Sequence, residues 1–402
     1  MAFLLLDLQG GGVQKIVLLV ASALAKRGYP VTLLVYNAQG PQREQLSAEV
    51  KLAELKVSPG WLARLYALAA DPAGFKALLR PVILPRKPFK TLNYLPDLMR
   101  YLRRERPAVL FAAMPNINIE AILARRLAAV PTRVVISEHT HVSRWITMRS
   151  EWRRQFLLPL MQRTYLHADA IVAVSNGVAD DLANVVGLPR ERVTTIYNPT
   201  VHPQLLALAQ ARLEHPWFAA GAPPVVLGVG RLGKSKDFPT LIKAFARLRA
   251  ERPARLLILG GTDKESKWDE SRDQLMALAA ELGVVDDVSL PGFVANPFAY
   301  MTRAAVFVLS SQYEGFPNVL VEALACGCPV VSTDCPSGPA EILDHGRFGP
   351  LVPVGDDRAM AQAIGVVLDA PPDPRQLQAR AALFSYEQAI DNYETILLGG
   401  QC

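Results

Sequence analysis

Glu314 and Glu322 stand eight positions apart in the segment EGFPNVLVEA, with a Gly-Phe-Pro turn between them. The preceding run, AAVFVLSS, has the apolar content of a buried strand, and the following run reads as a helix. Pro317 suits the first helical turn, where its missing N–H costs nothing. The pattern is strand, tight loop, helix, with one carboxylate in the loop and one in the helix. The amino end of such a helix offers free backbone donors and a positive partial charge, which suits an anion. The donors expected there are the amides of Gly315, Phe316, Asn318, Val319 and Leu320. A carboxylate beside a phosphate is unfavourable unless it takes hydroxyl groups, so a sugar nucleotide satisfies both requirements.

A second constellation is Arg231 and Lys236 in GVGRLGKSKDF, a strand running into a loop. Two fixed cations at the carboxyl end of a strand can neutralise a diphosphate leaving group. Lys234 adds a further cation. No Asp-x-Asp occurs in the chain, so the usual pair of carboxylates for a diphosphate-bound divalent ion is missing. With Arg231, Lys236 and the helix end supplying positive charge, metal-independent chemistry is expected. Cys326-x-Cys328 with Cys335 and His345 fits no zinc spacing.

Glycines at a strand–helix turn, Gly10-Gly11-Gly12, allow close backbone approach to an anion. Dinucleotide binding is excluded on two counts. Lys15 stands where the third glycine of G-x-G-x-x-G should be, and the second strand, VTLLVY, has no acid at its end.

These residues resemble those of the retaining glycosyltransferases of family 4. Glu314 to Glu322 matches the E-x7-E signature, and GRLGKSKD is similar to the G-R-L-x-x-x-K-D element. The resemblance covers nearly the whole chain and implies an α/β GT-B architecture, two Rossmann-like doubly wound domains facing across a cleft. It implies that Glu314 contacts sugar hydroxyls, that Glu322 binds the nucleotide ribose, and that Arg231 and Lys236 contact the donor diphosphate. Phe293 and Val294, in LPGFVAN, fall in the nucleobase region. Gly11 and Gly12 fall near donor phosphate and acceptor, and His139, at the end of RVVISEH, near the donor sugar; His141 is the weaker candidate. Asn198, in IYNP, matches a residue near the hinge. The implied reaction moves a sugar from a UDP- or GDP-sugar to a glycan or lipid-linked acceptor in cell-surface polysaccharide synthesis, with retention and no separate cofactor. An epimerase or a glycosidic phosphorylase on the same fold is the alternative. A non-catalytic pair of lobes sits badly with intact Arg231, Lys236, Glu314 and Glu322.

The elements that must hold these residues alternate along the chain. AFLLLD and VTLLVY flank a helical run in which Val13, Ile16, Val17, Val20 and Leu24 recur at helical spacing, closed by Gly28. AVLFAAM, RVVISEH and AIVAVS continue the strands, and VTTIYNPT ends the first half. After a helical crossing segment the pattern restarts with PPVVLGVGRL, RLLILGG, DVSLPGF, AVFVLSS and PVVSTD. Strand–helix–strand alternation means parallel sheets. Residues 40–106 are irregular. The expected domains are 1–200, binding the acceptor, and 201–375, binding the donor. PPDP at 371–374 breaks the chain before a last helix with Ile390, Tyr393, Ile396 and Leu397 on one face. Ser385 and Gln388 can form a capping box for it, and by resemblance 376–402 crosses back to the first domain.

Length and charge agree with this outline. The 402 residues, half of them hydrophobic, suffice for two cores. No apolar run reaches bilayer-spanning length, and MAFLLLDLQGGG lacks the basic leader of a signal peptide. Four cysteines, Cys402 included, make no disulfide framework and are expected as reduced thiols in a cytoplasmic protein. Residues 1–200 carry 26 Lys and Arg against 14 Asp and Glu, whereas the remainder carries 17 against 23. The basic density peaks at Arg80, Arg86, Lys87, Lys90, Arg100, Arg103, Arg104 and Arg106, facing only Asp97 and Glu105. Interleaved Phe89, Tyr94, Leu95, Leu98, Tyr101 and Leu102 suggest a peripheral contact with the inner face of a membrane. No nucleic-acid-binding motif accompanies the charge.

Overall fold

The structure is a computed structural model describing residues 1–84, 90–147, 155–261 and 271–400. The chain divides into two compact units, residues 1–199 with 387–402, and residues 200–386. Each is built on one parallel sheet.

In the first unit the strands are β1 (Ala2–Asp7), β2 (Thr32–Asn37), β3 (Lys51–Glu54), β4 (Val109–Ala113), β5 (Arg133–Glu138), β6 (Ala170–Ala173) and β7 (Val193–Thr195). Their order is β3-β2-β1-β4-β5-β6-β7, and every pairing is parallel. β1 is central, with Phe3 in register with Leu33 on one side and Phe111 on the other. Phe3, Leu4 and Leu5 are fully buried because helices cover both faces. The helix Gly12–Lys26 packs Val17, Val20, Ala21 and Leu24 inward and stops where Gly28 takes φ +91°.

The second unit contains β8 (Val225–Val229), β9 (Arg255–Leu259), β10 (Val288–Gly292), β11 (Val306–Leu309), β12 (Val330–Thr333) and β13 (Leu351–Val352), ordered β10-β9-β8-β11-β12-β13. Both units therefore have the doubly wound arrangement in which the strand order reverses beside the first strand. Ligands bind such sheets outside the carboxyl ends of the strands at that reversal. It lies between β1 and β4 in the first unit and between β8 and β11 in the second.

The last helix, Tyr386–Leu397, buries Ile390, Tyr393 and Leu397 in the first unit. The Tyr393 ring meets Phe111 edge-on at 5.9 Å. Arg27 pairs with Glu394 and, at 2.6 Å, with Asp391, while the Tyr29 hydroxyl donates to Glu394 at 2.6 Å. The preceding helix, Pro374–Ala381, stays in the second unit. Where the chain enters and leaves that unit its two ends are hydrogen-bonded. Val201 N donates to Phe384 O at 3.2 Å, and Tyr386 N donates to Val201 O at 3.0 Å.

The irregular region 40–106 contains β3 and the helices Gly60–Ala70 and Leu95–Glu105. In the latter, Leu95, Leu98 and Leu102 are fully buried, and Tyr94 stacks on Tyr36 at 4.2 Å. Of the apolar residues interleaved with the basic run, Leu95, Leu98 and Leu102 thus face the core, and Tyr94 and Tyr101 are half-buried; Arg86, Lys87 and Phe89 lie outside the described residues. Among the described residues no helix is long and apolar enough to cross a bilayer.

Candidate active site

Every candidate of the second unit follows the carboxyl end of a strand or lies in the helix after it. Arg231 and Lys236 follow β8, Phe293 and Val294 follow β10, and Glu314 and Gly315 follow β11. Arg231 is exposed in the loop. Lys236 closes a short turn, Lys234–Lys236, before Asp237 and the helix Phe238–Glu251. Its aliphatic stem lies along Gly230.

The loops after β8 and β11 are stitched together. Lys236 Nζ donates to Glu314 Oε1 at 2.6 Å, and Ser311 Oγ donates to the same oxygen at 2.6 Å. Ser310 Oγ donates to Lys236 O at 2.7 Å, and Gln312 N to Ser235 O at 2.8 Å. Thr333, fully buried on β12, donates to Ser311 O at 2.6 Å. A cation and a carboxylate are therefore fixed side by side at the strand-order reversal. Neighbouring Cys335, buried beside Glu314, has its thiol pushed up to about 12 by desolvation, so it is no nucleophile. Cys326 and Cys328 are likewise buried thiols.

Two glycines allow the loops to meet. Gly260 has φ +139°, and a Cβ there would fall 1.9 Å from Gly230 O. Gly338, after β12, has φ +95°, and its Cβ would fall 2.4 Å from Pro317 Cδ and 3.3 Å from Phe316 Cα. Only glycine tolerates this conformation against the Gly-Phe-Pro turn.

Pro317, with φ −75° and ψ 87°, precedes the helix Asn318–Ala325 and does not lie in its first turn. Leu320 departs from expectation. Its amide closes the first turn onto Pro317 O at 2.9 Å, and its side chain is fully buried, so it offers the site no donor. Phe316 is buried against Phe384 at 5.5 Å, and Asn318 Oδ1 accepts from Thr200 Oγ1 at 3.2 Å. Val319 lies in the first turn, where amides have no intrahelical acceptor. Glu322, one turn after Asn318, is 7% exposed. Phe293 is 76% exposed, which rules out core packing as the reason for its presence; Val294 is half-buried.

In the first unit Gly11 and Gly12 are exposed between β1 and its helix. Asp7, at the end of β1, receives Gln9 N at 3.2 Å and Gln14 Nε2 at 3.4 Å. A fixed carboxylate beside this loop favours a hydroxyl over a phosphate. His139 follows β5, and its Nε2 lies 3.0 Å from Ser137 Oγ on that strand. Desolvation lowers its pKa to about 4, so the ring is neutral at physiological pH. The adjacent Glu138 and His141 are held elsewhere. Glu138 accepts from Asn118 Nδ2 at 2.8 Å and from the Tyr165 hydroxyl, and His141 Nδ1 stands 3.2 Å from Asp181. Burial raises Glu138 to about 7, with Tyr165 and Asn118 opposing the shift.

Sequence reasoning missed Ser311, Ser137, Asp7 and Gly338. The only sequence signal for the serines is a small polar residue at the carboxyl end of a predicted strand. Among the described residues no group of three or more His, Cys, Asp or Glu side chains gathers in metal-binding geometry.

Two family profiles match the chain. Residues 10–201 match Glycosyltransferase Family 4, and residues 223–370 match Glycosyl transferases group 1. A relative from Campylobacter jejuni, N-acetylgalactosamine-N,N'-diacetylbacillosaminyl-diphospho-undecaprenol 4-alpha-N-acetylgalactosaminyltransferase, is 34% identical over 64% of this chain and 66% of its own length. The lipopolysaccharide core biosynthesis glycosyltransferase LpsE of Rhizobium meliloti is 29% identical over 88% of this chain and 84% of its own. The solved sucrose-phosphate synthase of Thermosynechococcus elongatus superposes with a TM-score of 0.78 at 21% identity, covering 98% of this chain and 97% of that one. Two parallel doubly wound sheets, two adjoining family domains and these relatives place the chain among the glycosyltransferases of the GT-B fold.

Proposed function

We propose that this protein is a retaining, metal-independent glycosyltransferase that moves a hexosyl group from a UDP- or GDP-sugar to a glycan or lipid-linked acceptor in cell-surface polysaccharide synthesis, on the cytoplasmic side of the membrane. The observation that carries this reading is the Lys236–Glu314 pair, held by Ser311 at the strand-order reversal of the second unit. A diphosphate arriving there takes Lys236 and Arg231. Glu314, relieved of its cation, turns to the sugar hydroxyls, and Glu322 accepts from the ribose hydroxyls, a good bidentate match. Phe293 offers an exposed ring to the base.

No side chain is assigned as a covalent nucleophile. The acceptor hydroxyl attacks the anomeric carbon on the face from which the diphosphate departs; the C–O bond to the acceptor forms as the bond to the diphosphate breaks. The proton passes to a departing phosphate oxygen, and Arg231, Lys236 and the helix end stabilise the developing charge.

The test incubates the protein with UDP- and GDP-hexoses and candidate acceptors in EDTA, reading the anomeric configuration of the product by NMR. A product of unchanged configuration supports the reading. An inverted product or a strict requirement for manganese overturns the corresponding part, and epimerised donor formed without acceptor would favour the epimerase alternative.

A further inference from the structure

Large exposed apolar side chains concentrate in one stretch of the first unit. Val57 is 65% exposed, Trp61 63%, Leu65 55%, Phe75 50% and Leu84 66%. On the helix Gly60–Ala70, Trp61 and Leu65 are one turn apart and leave the same face. The opposite face buries Ala63, Ala67 and Ala70. The helix is thus apolar on both sides, with its bulkier residues turned outward, which is unusual for a helix that meets only water.

The exposed charges of residues 56–84 are all basic, with exposed Glu54 just before them. Lys56, Lys76 and Arg80 are exposed, and Arg64 donates to Val82 O at 3.2 Å. The acid among them, Asp71, is 2% exposed and neutralised by Arg163 at 2.8 and 2.9 Å. A second copy of the chain would bring like charges together across this face, which is unfavourable. An anionic lipid surface supplies both an apolar layer and negative headgroups, and an indole is well placed at their boundary.

We propose that this face, centred on Trp61 and Leu65, rests on an anionic membrane surface, with Lys76 and Arg80 on the headgroup phosphates. The contact is made by the helix Gly60–Ala70 and its flanks, not by the more densely charged helix Leu95–Glu105, whose leucines are buried. It does not depend on the transfer chemistry.

The test is co-sedimentation of the full chain, without sugar nucleotide, with vesicles of phosphatidylcholine alone or mixed with phosphatidylglycerol. Binding is expected to the mixed vesicles, to weaken with salt, and to fall about tenfold or more in Trp61→Ser with Leu65→Ser. Lys76→Glu with Arg80→Glu removes the preference for phosphatidylglycerol. All four side chains are exposed, so melting temperatures stay at the wild-type value. Absence of wild-type binding to mixed vesicles, or undiminished binding by the Trp61/Leu65 variant, overturns the proposal. So does a dimer in light scattering that this variant abolishes without vesicle binding, which would assign the face to a second copy.

Discussion

Lys236 Nζ lies 2.6 Å from Glu314 Oε1, although the two residues are 78 positions apart. Neither is fully exposed, their side chains being 23% and 12% accessible. The pair fixes opposite charges side by side at the strand-order reversal of the second unit, each partner holding the other in place.

Lys236→Ala is expected to lower transfer by about two orders of magnitude or more, the scale of a lost electrostatic contact in the transition state. Glu314→Gln leaves Lys236 without its counter-charge and is expected to weaken donor turnover while preserving nucleotide diphosphate binding. The non-additivity of the double variant measures the coupling. Steady-state kinetics with calorimetric binding checks this; near-wild-type kcat/KM in Lys236→Ala sinks the assigned role.

Glu322→Ala removes the carboxylate assigned to the ribose. Transfer should fall about a hundredfold or more, with KM for the donor raised, and the fold retained. Retained activity in EDTA, in wild type and variant alike, is the companion expectation. Recovery of a chelation loss by manganese would mean that a divalent ion shares the diphosphate with Arg231 and Lys236.

Gly338→Ala places a methyl group 2.4 Å from Pro317 Cδ at a backbone φ of +95°. The expected cost is about 1–3 kcal/mol of stability together with a displaced Gly-Phe-Pro turn. Chemical denaturation and donor KM report the two effects separately. A variant with unchanged midpoint and KM would show that this contact does not set the turn.

Glu138 gives a pH dependence with a definite sign. Its folded pKa of about 7 lies above the ordinary carboxylate value of 4.5, because burial disfavours the charged form. The folded state therefore binds the proton more tightly. The associated stability is fully present below about pH 4.5 and is lost as pH rises to about 7. Glu138→Gln removes this dependence, so its stability relative to wild type should improve between pH 5 and pH 8 by an amount on the order of a few kcal/mol. Denaturant midpoints at the two pH values check this; a constant difference between the proteins would show that Glu138 does not titrate in that window.

Much of the fold was legible because its strands are apolar runs separated by helical periodicities. β1, β2, β4 to β6 and β8 to β12 fall on such runs, whereas β7, Val-Thr-Thr, has one buried residue and no apolar run. β3 escaped because Lys51–Glu54 is a short edge strand with no fully buried residue, and β13 because it is two residues long. The helix Leu95–Glu105 shows the limit of pattern reading. Basic residues alternating with leucines fit a membrane contact or a core-facing helix equally well, and only Leu95, Leu98 and Leu102 at zero exposure decide for the core. At the site, residue types and spacing singled out Arg231, Lys236, Glu314 and Glu322. The pairing of Lys236 with Glu314, the role of Ser311 and the engagement of the Leu320 amide are tertiary facts. Local sequence carries no sign of which loop a lysine will meet.

Val201 and its hydrogen bonds to Phe384 and Tyr386 bear on modularity. Residues 200–386 form one uninterrupted segment whose beginning and end are stapled together, so the unit is inserted into its host at a single point. Such a segment can be excised by two cuts without leaving a severed strand inside it. In topology the unit is a cassette, a single segment whose two ends meet where the host chain resumes at Glu387.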